Sequence, residues 1–186
     1  MRIRRPVWSA GVGLLALMGV TVLGGCPGRG LGGGDTGTRD PQKYAKMVTA
    51  FHMGVVAMAV NDPDRALRSL ETATQLYPNE PAAWANLGLA HLRANRMEPA
   101  ARALEKARSL APKNADILLL SALWESTGGS PEKAVEYLRR AVELDPNNPI
   151  AHARLAEQLE RVGAPNSEAE VVRLYEKVLE LKPGNL

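Results

Sequence analysis

The chain has 186 residues, of which 23 are basic and 20 acidic, and it contains one cysteine and three histidines. A single cysteine cannot form a disulfide within the chain, and the sequence holds too few cysteines and histidines for a zinc site. Arg2, Arg4 and Arg5 account for the net charge of +3, and no later segment clusters basic residues. Nucleic-acid binding requires a concentrated basic face, so we expect no nucleic-acid partner.

The first predicted element, residues 1–25, has the order of a secretory signal. Basic residues at its start precede a charge-free apolar segment from Val7 to Leu23, and small residues follow. The apolar segment lies at the lower limit of about 17 residues for a membrane-spanning helix, and several glycines dilute it. We therefore predict that the segment is a cleaved signal, with an uncleaved signal anchor as the alternative.

Leu23, Gly24, Gly25 and Cys26 resemble the bacterial lipobox, in which a leucine and two small residues precede an acylated cysteine. The resemblance implies that Cys26 becomes the mature N-terminus and carries acyl chains, so that a lipid bilayer is one partner. A soluble secreted protein is the remaining alternative. Pro27 is not acidic, which by resemblance to a bacterial sorting rule favours the outer membrane. The expected location is the bacterial cell envelope, with the chain facing the periplasm.

Residues 26–40 join Cys26 to the rest of the chain through the glycine-rich sequence PGRGLGGGDTGTR. A glycine-rich chain of this length has a root-mean-square reach of roughly 20 Å. We predict a flexible tether that holds a folded domain close to a membrane; the alternative is a disordered segment without a role.

Residues 41–186 are rich in alanine, leucine and charged residues, a composition that predicts an all-helical domain. Four prolines within it are spaced 34, 34 and 37 residues apart, and each follows a leucine by two residues. A fixed period of this kind indicates internal repeats. The prolines are Pro78, Pro112, Pro146 and Pro183.

The second repeat, PAAWANLGLAHLRANRMEPAARALEKARSLAPKN, resembles the tetratricopeptide repeat nearly position for position. Small residues allow its two helices to approach, and larger ones at spacings of three and four fill the space on the same face. The predicted repeats are residues 47–80, 81–114, 115–148 and 149–185. The residues predicted to pack within them are Gly54, Ala66, Trp84, Leu87, Gly88, Ala100, Leu104, Ala107, Ala134, Leu138 and Ala141.

The resemblance implies an all-α, right-handed solenoid of about four helix-turn-helix repeats, or about eight helices. The fourth repeat departs from the pattern, because its turn is longer and valines occupy two of its small positions. Ser167 with Glu170 predicts a capping box at the start of its second helix. Helix starts before a proline are predicted at Asp40, Asp62, Ser130 and Asn148.

No residue pattern in the sequence indicates catalysis or a cofactor. His52, His91 and His152 fall at different places in their repeats, so stacking does not bring them together. No serine or cysteine has a neighbouring base, and no glycine-rich phosphate loop joins a strand to a helix. We therefore expect a protein that is not an enzyme and binds no cofactor, with structural or solvent-facing histidines.

The resemblance also implies a concave groove, lined by the first helix of each repeat, that binds a peptide segment. Its residues are apolar early and charged late, which suits a peptide with an apolar segment and a polar tail. Several of the apolar residues fit core positions equally well, and the sequence leaves this alternative open. The candidates are Phe51, Val55, Met58, Asn86, Leu89, Arg93, Leu119, Leu123, Arg154, Glu157 and Arg161.

The last repeat carries apolar residues at positions that earlier repeats should bury against a following repeat. These residues are Val172, Leu179 and Leu181, and we expect another copy or a partner to cover them.

These features together predict a membrane-anchored envelope lipoprotein that acts as an adaptor or scaffold for another envelope protein. In plan it resembles lipoproteins that assist pilus assembly, outer-membrane assembly or recruitment of peptidoglycan enzymes. The alternative is a structural protein that self-associates, as a homo-oligomer, through its open C-terminal repeat.

Overall fold

A computed structural model describes residues 40–163, 165 and 167–182 of the chain, and within them the chain forms eight helices. The predicted signal, Cys26 and the glycine-rich tether lie outside the described residues. The helices are α1 (Pro41–Ala59), α2 (Pro63–Leu76), α3 (Pro81–Arg93), α4 (Met97–Leu110), α5 (Ala115–Gly128), α6 (Pro131–Leu144), α7 (Pro149–Val162) and α8 (Glu168–Leu181).

The eight helices pack as four consecutive hairpins. Contacts join α1 with α2, α3 with α4, α5 with α6 and α7 with α8, and the second helix of each hairpin contacts the first helix of the next. A stack in which each unit packs against its neighbours is a solenoid. The predicted all-α solenoid is therefore confirmed.

The repeat allows residues in different hairpins to be compared directly. Residues 34 apart occupy equivalent positions from α1 to α7, and each residue of α8 lies 37 residues after its equivalent in α6. Residues related in this way are called equivalent, and the contact between one hairpin and the next is called a joint.

Short polar side chains begin four of the helices at the predicted places. The Asp40 carboxylate accepts hydrogen bonds from the backbone N–H groups of Gln42 and Lys43, at 2.9 and 3.2 Å. Such caps satisfy N–H groups that have no partner within the helix. The predicted caps Asp40, Asp62, Ser130 and Asn148 are all confirmed.

The predicted capping box at the start of α8 is wrong. Ser167 has helical backbone angles, φ −88° and ψ −8°, and its side chain makes no capping hydrogen bond. Glu170 instead pairs with Arg139 of α6, with 2.9 Å between Oε2 and Nη2. Glu170 therefore makes a contact across a joint in place of the predicted capping contact with Ser167.

Glycine brings the two helices of the first two hairpins into direct contact. A Cβ atom on Gly54 would lie 2.5 Å from Leu70 Cγ, and one on Gly88 would lie 2.7 Å from Leu104 Cγ. These separations are far below contact distance, so the buried leucines occupy the space that a methyl group would need. The equivalent residues of α5 and α7 are Ala122 and Ala156, both buried.

Among the described residues, the buried apolar side chains form two large clusters. One lies in α1 to α4 and includes Phe51 and Leu70, and the other lies in α5 to α8 and includes Leu138 and Leu155. A small cluster around Ile117 joins the second hairpin to the third. Of the residues predicted to pack within the repeats, all are buried except Trp84, which is half-buried.

Candidate interaction surfaces

Four of the predicted groove residues lie in the core. Phe51, Met58, Asn86 and Leu89 are only 1–4% exposed, and the Asn86 side-chain amide donates to the carbonyl of Ala82 at 2.9 Å. The first helix of a hairpin has its own partner on one side and a neighbouring hairpin on another, which covers these positions. The structure therefore places all four in the core, and they do not line a surface. For the three apolar residues this is the alternative that the sequence left open.

Val55, Leu119 and Leu123 are half-buried and form the apolar part of the surface that remains. Val55 and Leu123 pack against the cluster of the first two hairpins, and Leu119 packs against that of the last two. Each side chain thus keeps part of its area exposed on α1 or α5. That exposed area is available to an apolar side chain of a partner.

Arg93 and Arg161, also predicted to face a ligand, hydrogen bond across joints. Arg93 Nη1 donates to the carbonyl oxygen of Met58 at 2.7 Å, and Arg161 Nη2 donates to that of Ser126 at 2.8 Å. The two arginines are equivalent, and so are the two acceptors. The same contact therefore stabilises the first joint and the third.

Arg154 and Glu157 form the charged part of the surface. Arg154 Nη1 lies 2.8 Å from Glu157 Oε2, and the two side chains are 21% and 46% exposed. The pair lies on α7, the first helix of the last hairpin. A polar partner group can reach Glu157, which is exposed, more readily than Arg154.

In two of the first helices, a side-chain ring nitrogen contacts the carbonyl oxygen of the proline that ends the preceding repeat. Trp84 Nε1 donates to the Pro78 carbonyl oxygen at 2.7 Å, and His152 Nε2 lies 2.9 Å from the Pro146 carbonyl oxygen. A carbonyl oxygen only accepts, so this contact requires the proton of His152 on Nε2. The structural role expected for His152 is thus this joint contact.

A second recurring contact was not predicted from the sequence. Trp124 Nε1 donates to the Met97 carbonyl oxygen, and Gln158 Nε2 donates to that of Pro131, both at 3.0 Å. Trp124 and Gln158 are equivalent, and each acceptor is the first residue of the preceding second helix. Both donors occupy the position that Ala90 occupies in the second repeat, and alanine has no side-chain donor. This difference between the repeats was the signal in the sequence.

His91 is buried in α3, with its Nδ1 atom lacking a hydrogen-bond partner among the described residues. Burial lowers the pKa of His91 below its ordinary value of 6.5, Glu71 acts in the opposite direction, and Arg96 and Arg102 lower it further. The neutral ring is therefore the favoured form in the folded protein.

A cleft of about 530 Å³ lies at the joint between the second and third hairpins. Trp124 of α5 and Tyr137 of α6 line it together with the small Ala101 of α4, and exposed Arg102 and Lys106 stand at its edge. This cleft was not predicted from the sequence. Its signal was the pairing of two large aromatic residues with the small Ala101 across one joint.

The predicted open face of the last hairpin is exposed in the structure. Val172 and Leu179 of α8 are 56% and 48% exposed, and Leu181 is half-buried. The equivalents of Val172 and Leu179 in α6, Val135 and Val142, are half-buried against the cluster of the last two hairpins. The equivalent of Leu181 is Leu144, which is 43% exposed, so the expectation that a following repeat buries this position is wrong. We call Val172, Leu179 and Leu181 the C-face.

A second exposed apolar surface lies at the opposite end of the described stack, on α1. Met53, Val56 and Val60 are 42%, 60% and 68% exposed. Together with Val48, Thr49, His52 and Arg65, Met53 and Val56 line a shallow depression of about 370 Å³. We call Thr49, His52, Met53, Val56 and Val60 the N-face, and this surface was not predicted from the sequence.

Metal sites and membrane-spanning helices are both absent from the part of the chain that the structure describes. No group of three or more histidine, cysteine, aspartate or glutamate side chains is placed to hold a metal ion. No helix there combines the length and the apolar character needed to cross a membrane.

Solved structures with the same fold include MamA of Desulfovibrio magneticus RS-1, which is 25% identical with a TM-score of 0.63. The match covers 74% of this chain and 76% of the MamA chain. PilF of Pseudomonas aeruginosa is 18% identical with a TM-score of 0.69, over 77% of this chain and 64% of PilF.

An O-GlcNAc transferase variant of Thermobaculum terrenum is 22% identical with a TM-score of 0.69, over 75% of this chain but only 26% of the transferase. The similarity to PilF and to the transferase concerns the fold alone. The comparison with curated proteins gave no significant match.

Two sequence models of the tetratricopeptide repeat match the chain, one over residues 52–115 and one over residues 117–157. Together they cover more than half of the 186 residues and extend from within α1 to within α7, so that α8 lies outside both matches. Repeats of this kind support a protein-interaction scaffold as the general function. The chain belongs to the tetratricopeptide repeat family.

Proposed function

We propose that the protein is a lipid-anchored scaffold of the bacterial envelope that binds another envelope protein through the first helices of its solenoid. It is proposed to act without catalysis of its own, in the assembly of an envelope complex. The observation that carries the binding role is the half-buried row Val55, Leu119 and Leu123, followed by the partly exposed pair Arg154 and Glu157. We call these five residues the groove surface.

The groove surface suits a peptide segment with apolar side chains at one end and a basic group at the other. Aliphatic area on α1 and α5 would take the apolar side chains. Glu157, the more exposed member of its ion pair, would take the basic group, at the cost of its contact with Arg154. Recognition of this kind uses a few apolar anchors and one charged group that sets the orientation.

Copurification from envelope extracts tests the binding role. The parent chain should retain a specific partner that Leu123→Glu loses, because a carboxylate would have to be buried against that partner's apolar side chains. Glu136→Arg, on the exposed outer part of α6, is the control and should retain it. Equal retention by all three chains would exclude the groove surface.

Metabolic labelling with a fatty-acid analogue tests the anchor. The parent chain should incorporate the label and sediment with membranes, whereas Cys26→Ser should do neither, because the serine hydroxyl cannot form the expected thioether. A Cys26→Ser chain that still sediments with membranes but lacks the label would favour an uncleaved signal anchor instead.

A second candidate function is self-association through the C-face, because about half of the Val172 and Leu179 side chains is exposed. Each substitution Val172→Glu and Leu179→Glu should abolish the assembly without unfolding the monomer. Light scattering and circular dichroism measure the two effects. Assembly that is unchanged in both variants would exclude this function.

A further inference from the structure

We propose that the C-face of one copy binds the N-face of a second copy, so that chains join head to tail. This proposal deepens the second candidate function and rests on it, because it names the surface that covers the C-face. The joint between copies would repeat the geometry of the three joints within the chain.

Two residues of the N-face, Thr49 and Met53, occupy positions that every later hairpin buries, whereas the equivalents of its other three residues include half-buried or exposed side chains. The equivalents of Thr49 in the later hairpins are Ala83, Ile117 and Ala151, all at most 1% exposed. The equivalents of Met53 are Leu87, Ser121 and Leu155, all at most 5% exposed. The first hairpin thus presents, uncovered among the described residues, the surface with which each later hairpin contacts the one before it.

The C-face presents the other half of the same contact. Val172 is equivalent to Leu67, and Leu179 is equivalent to Thr74, and both of these residues of α2 are only 4% exposed. Their equivalents in α4 and α6 are half-buried. One chain therefore carries the two complementary halves of a joint at opposite ends of its described stack.

Charge at the edge of the two faces also matches. At the third joint Arg139 of α6 pairs with Glu170 of α8. The residue of α8 equivalent to Arg139 is Glu176, and the residue of α2 equivalent to Glu170 is Arg65. Both are exposed, and a head-to-tail joint would place Glu176 of one copy opposite Arg65 of the next, with the signs reversed but complementary.

The first hairpin lacks the hydrogen-bond donors of the internal joints. Ala50, Val56 and Ala59 stand at the positions from which Trp84, Trp124 and Arg93, respectively, donate to a preceding carbonyl. A joint between copies would bury no donor without an acceptor at these three places. It would rely on apolar contact and one ion pair, which makes it weaker than the internal joints and reversible.

A head-to-tail contact uses the C-face of one copy and the N-face of the other. The pair of copies therefore still has one free N-face and one free C-face. Further copies can then add, which produces rings or open filaments rather than closed dimers. The proposal therefore predicts species larger than dimers.

Crosslinking of paired cysteines in intact cells tests the geometry on the full chain. At the third joint Ser126 Oγ lies 2.9 Å from Gln158 Oε1. The equivalents of these residues at a joint between copies are Glu160 and Val56. A chain with both Val56→Cys and Glu160→Cys should form a ladder of trimers and larger species when it is treated with a short bifunctional thiol reagent, which supplies the length by which Gln158 exceeds a cysteine.

Three controls accompany the double variant. The parent chain, which contains Cys26, should form no ladder. Each single variant should also form none, and a mixture of the two single variants should stop at dimers, because each chain then offers one reactive end. A dimer that forms equally well from Val56→Cys alone would indicate a symmetric contact and overturn the proposal.

Charge reversal supplies an independent measurement. Arg65→Glu and Glu176→Arg should each weaken self-association about three- to tenfold at low salt, and the chain with both changes should recover it, as expected for one exposed ion pair. Glu136→Arg is the control for net charge. Failure of the double variant to recover would overturn the proposed pairing.

The outcomes separate this proposal from the function on which it rests. If Val172→Glu abolishes assembly but the double-cysteine chain forms no ladder, the C-face binds another surface and only the head-to-tail geometry fails. If Val172→Glu and Leu179→Glu leave assembly unchanged, self-association through the C-face fails with it. Circular dichroism of each variant shows that the solenoid is intact.

Discussion

Different side chains perform the same task at equivalent positions of this solenoid. Trp84 and His152 both use a ring nitrogen to bind the carbonyl oxygen of a repeat-closing proline. The third repeat has Leu118 at this position and the first has Ala50, neither of which can donate. The hydrogen bonds of a joint therefore depend on single residues, and each can be removed individually.

Trp84→Phe should lower the free energy of unfolding by about 0.5–1.5 kcal/mol, the net value of one hydrogen bond. The substitution keeps an aromatic ring but removes the N–H that binds the Pro78 carbonyl oxygen at 2.7 Å. Urea denaturation followed by circular dichroism measures the change, which avoids the altered tryptophan fluorescence. A stability equal to that of the parent would show that water replaces the indole at no cost.

His91 should make the stability depend on pH. Burial lowers the pKa of His91 in the folded chain, whereas in the unfolded chain it titrates at the ordinary value of 6.5. The unfolded state therefore binds a proton first as the pH falls. The stability contributed by the neutral ring is complete above pH 6.5 and is lost as the pH falls through 6.5 towards the folded-state pKa.

Denaturation between pH 8 and pH 5 measures this effect. The parent should lose more stability over this range than His91→Phe, which cannot titrate. At pH 8 His91 is neutral in both states, so any difference there reports packing alone. Parallel curves for the two chains would contradict the role assigned to His91.

At the scale of the helices, glycine sets the separation within the first two hairpins. Leu70 and Leu104 occupy the space beside Gly54 and Gly88, respectively, while alanine is accommodated in α5 and α7. A small residue is thus required in every hairpin, but the space available for it differs between hairpins.

Gly88→Ala should destabilise the chain although alanine favours helix by about 1 kcal/mol. The added methyl group would lie 2.7 Å from Leu104 Cγ, and displacing a buried leucine costs about 1–3 kcal/mol. A net loss of about 1 kcal/mol is expected in urea denaturation. At the equivalent site Ala122→Gly should lose about 2 kcal/mol, of which about 1 comes from helix propensity and about 0.8 from the loss of a buried methyl group. A gain from Gly88→Ala would show that Leu104 moves freely.

The sequence predicted the helices well because their signals are local. Proline spacing, the caps before a proline and the small positions of each helix need no knowledge of distant residues. The box at Ser167 failed because Glu170 lies within reach of Arg139, which is distant along the chain. A local motif cannot reveal a competing partner on another helix.

The interaction surface was predicted less well, for a related reason. Periodicity shows which side of a helix is apolar, but a helix inside the stack has neighbours on more than one side. Leu89 and Leu123 are equivalent leucines, yet one is buried and the other half-exposed. The difference depends on how the hairpins stack, which no single repeat encodes.

At the scale of the whole molecule, stability should be local to each joint. The third joint combines the His152 contact, the Gln158 contact, the Arg161 contact and the ion pair between Arg139 and Glu170. A solenoid propagates stability only through neighbouring units. Weakening this joint should therefore increase local unfolding of the last hairpin and leave the stability of the first two hairpins unchanged.

Gln158→Ala combined with Arg161→Ala tests this locality. Loss of the hydrogen bonds to Pro131 and Ser126 should increase amide hydrogen exchange in α7 and α8 by about tenfold or more, with α1 to α4 unaffected. Arg154→Ala, which breaks an ion pair within α7, should have a much smaller effect. Faster exchange throughout the chain would indicate a single cooperative unit instead.

The central claim is that the groove surface binds a foreign envelope protein, and site-specific photo-crosslinking in intact cells tests it most directly. A crosslinking residue is placed at Leu123 on the groove surface, at Leu179 on the C-face, and at Glu136 as a control. We predict that Leu123 captures one foreign protein that Glu136 does not capture, while Leu179 captures a second copy of this chain. If Leu123 yields the same products as Glu136, the groove surface binds nothing specific and the scaffold account is contradicted.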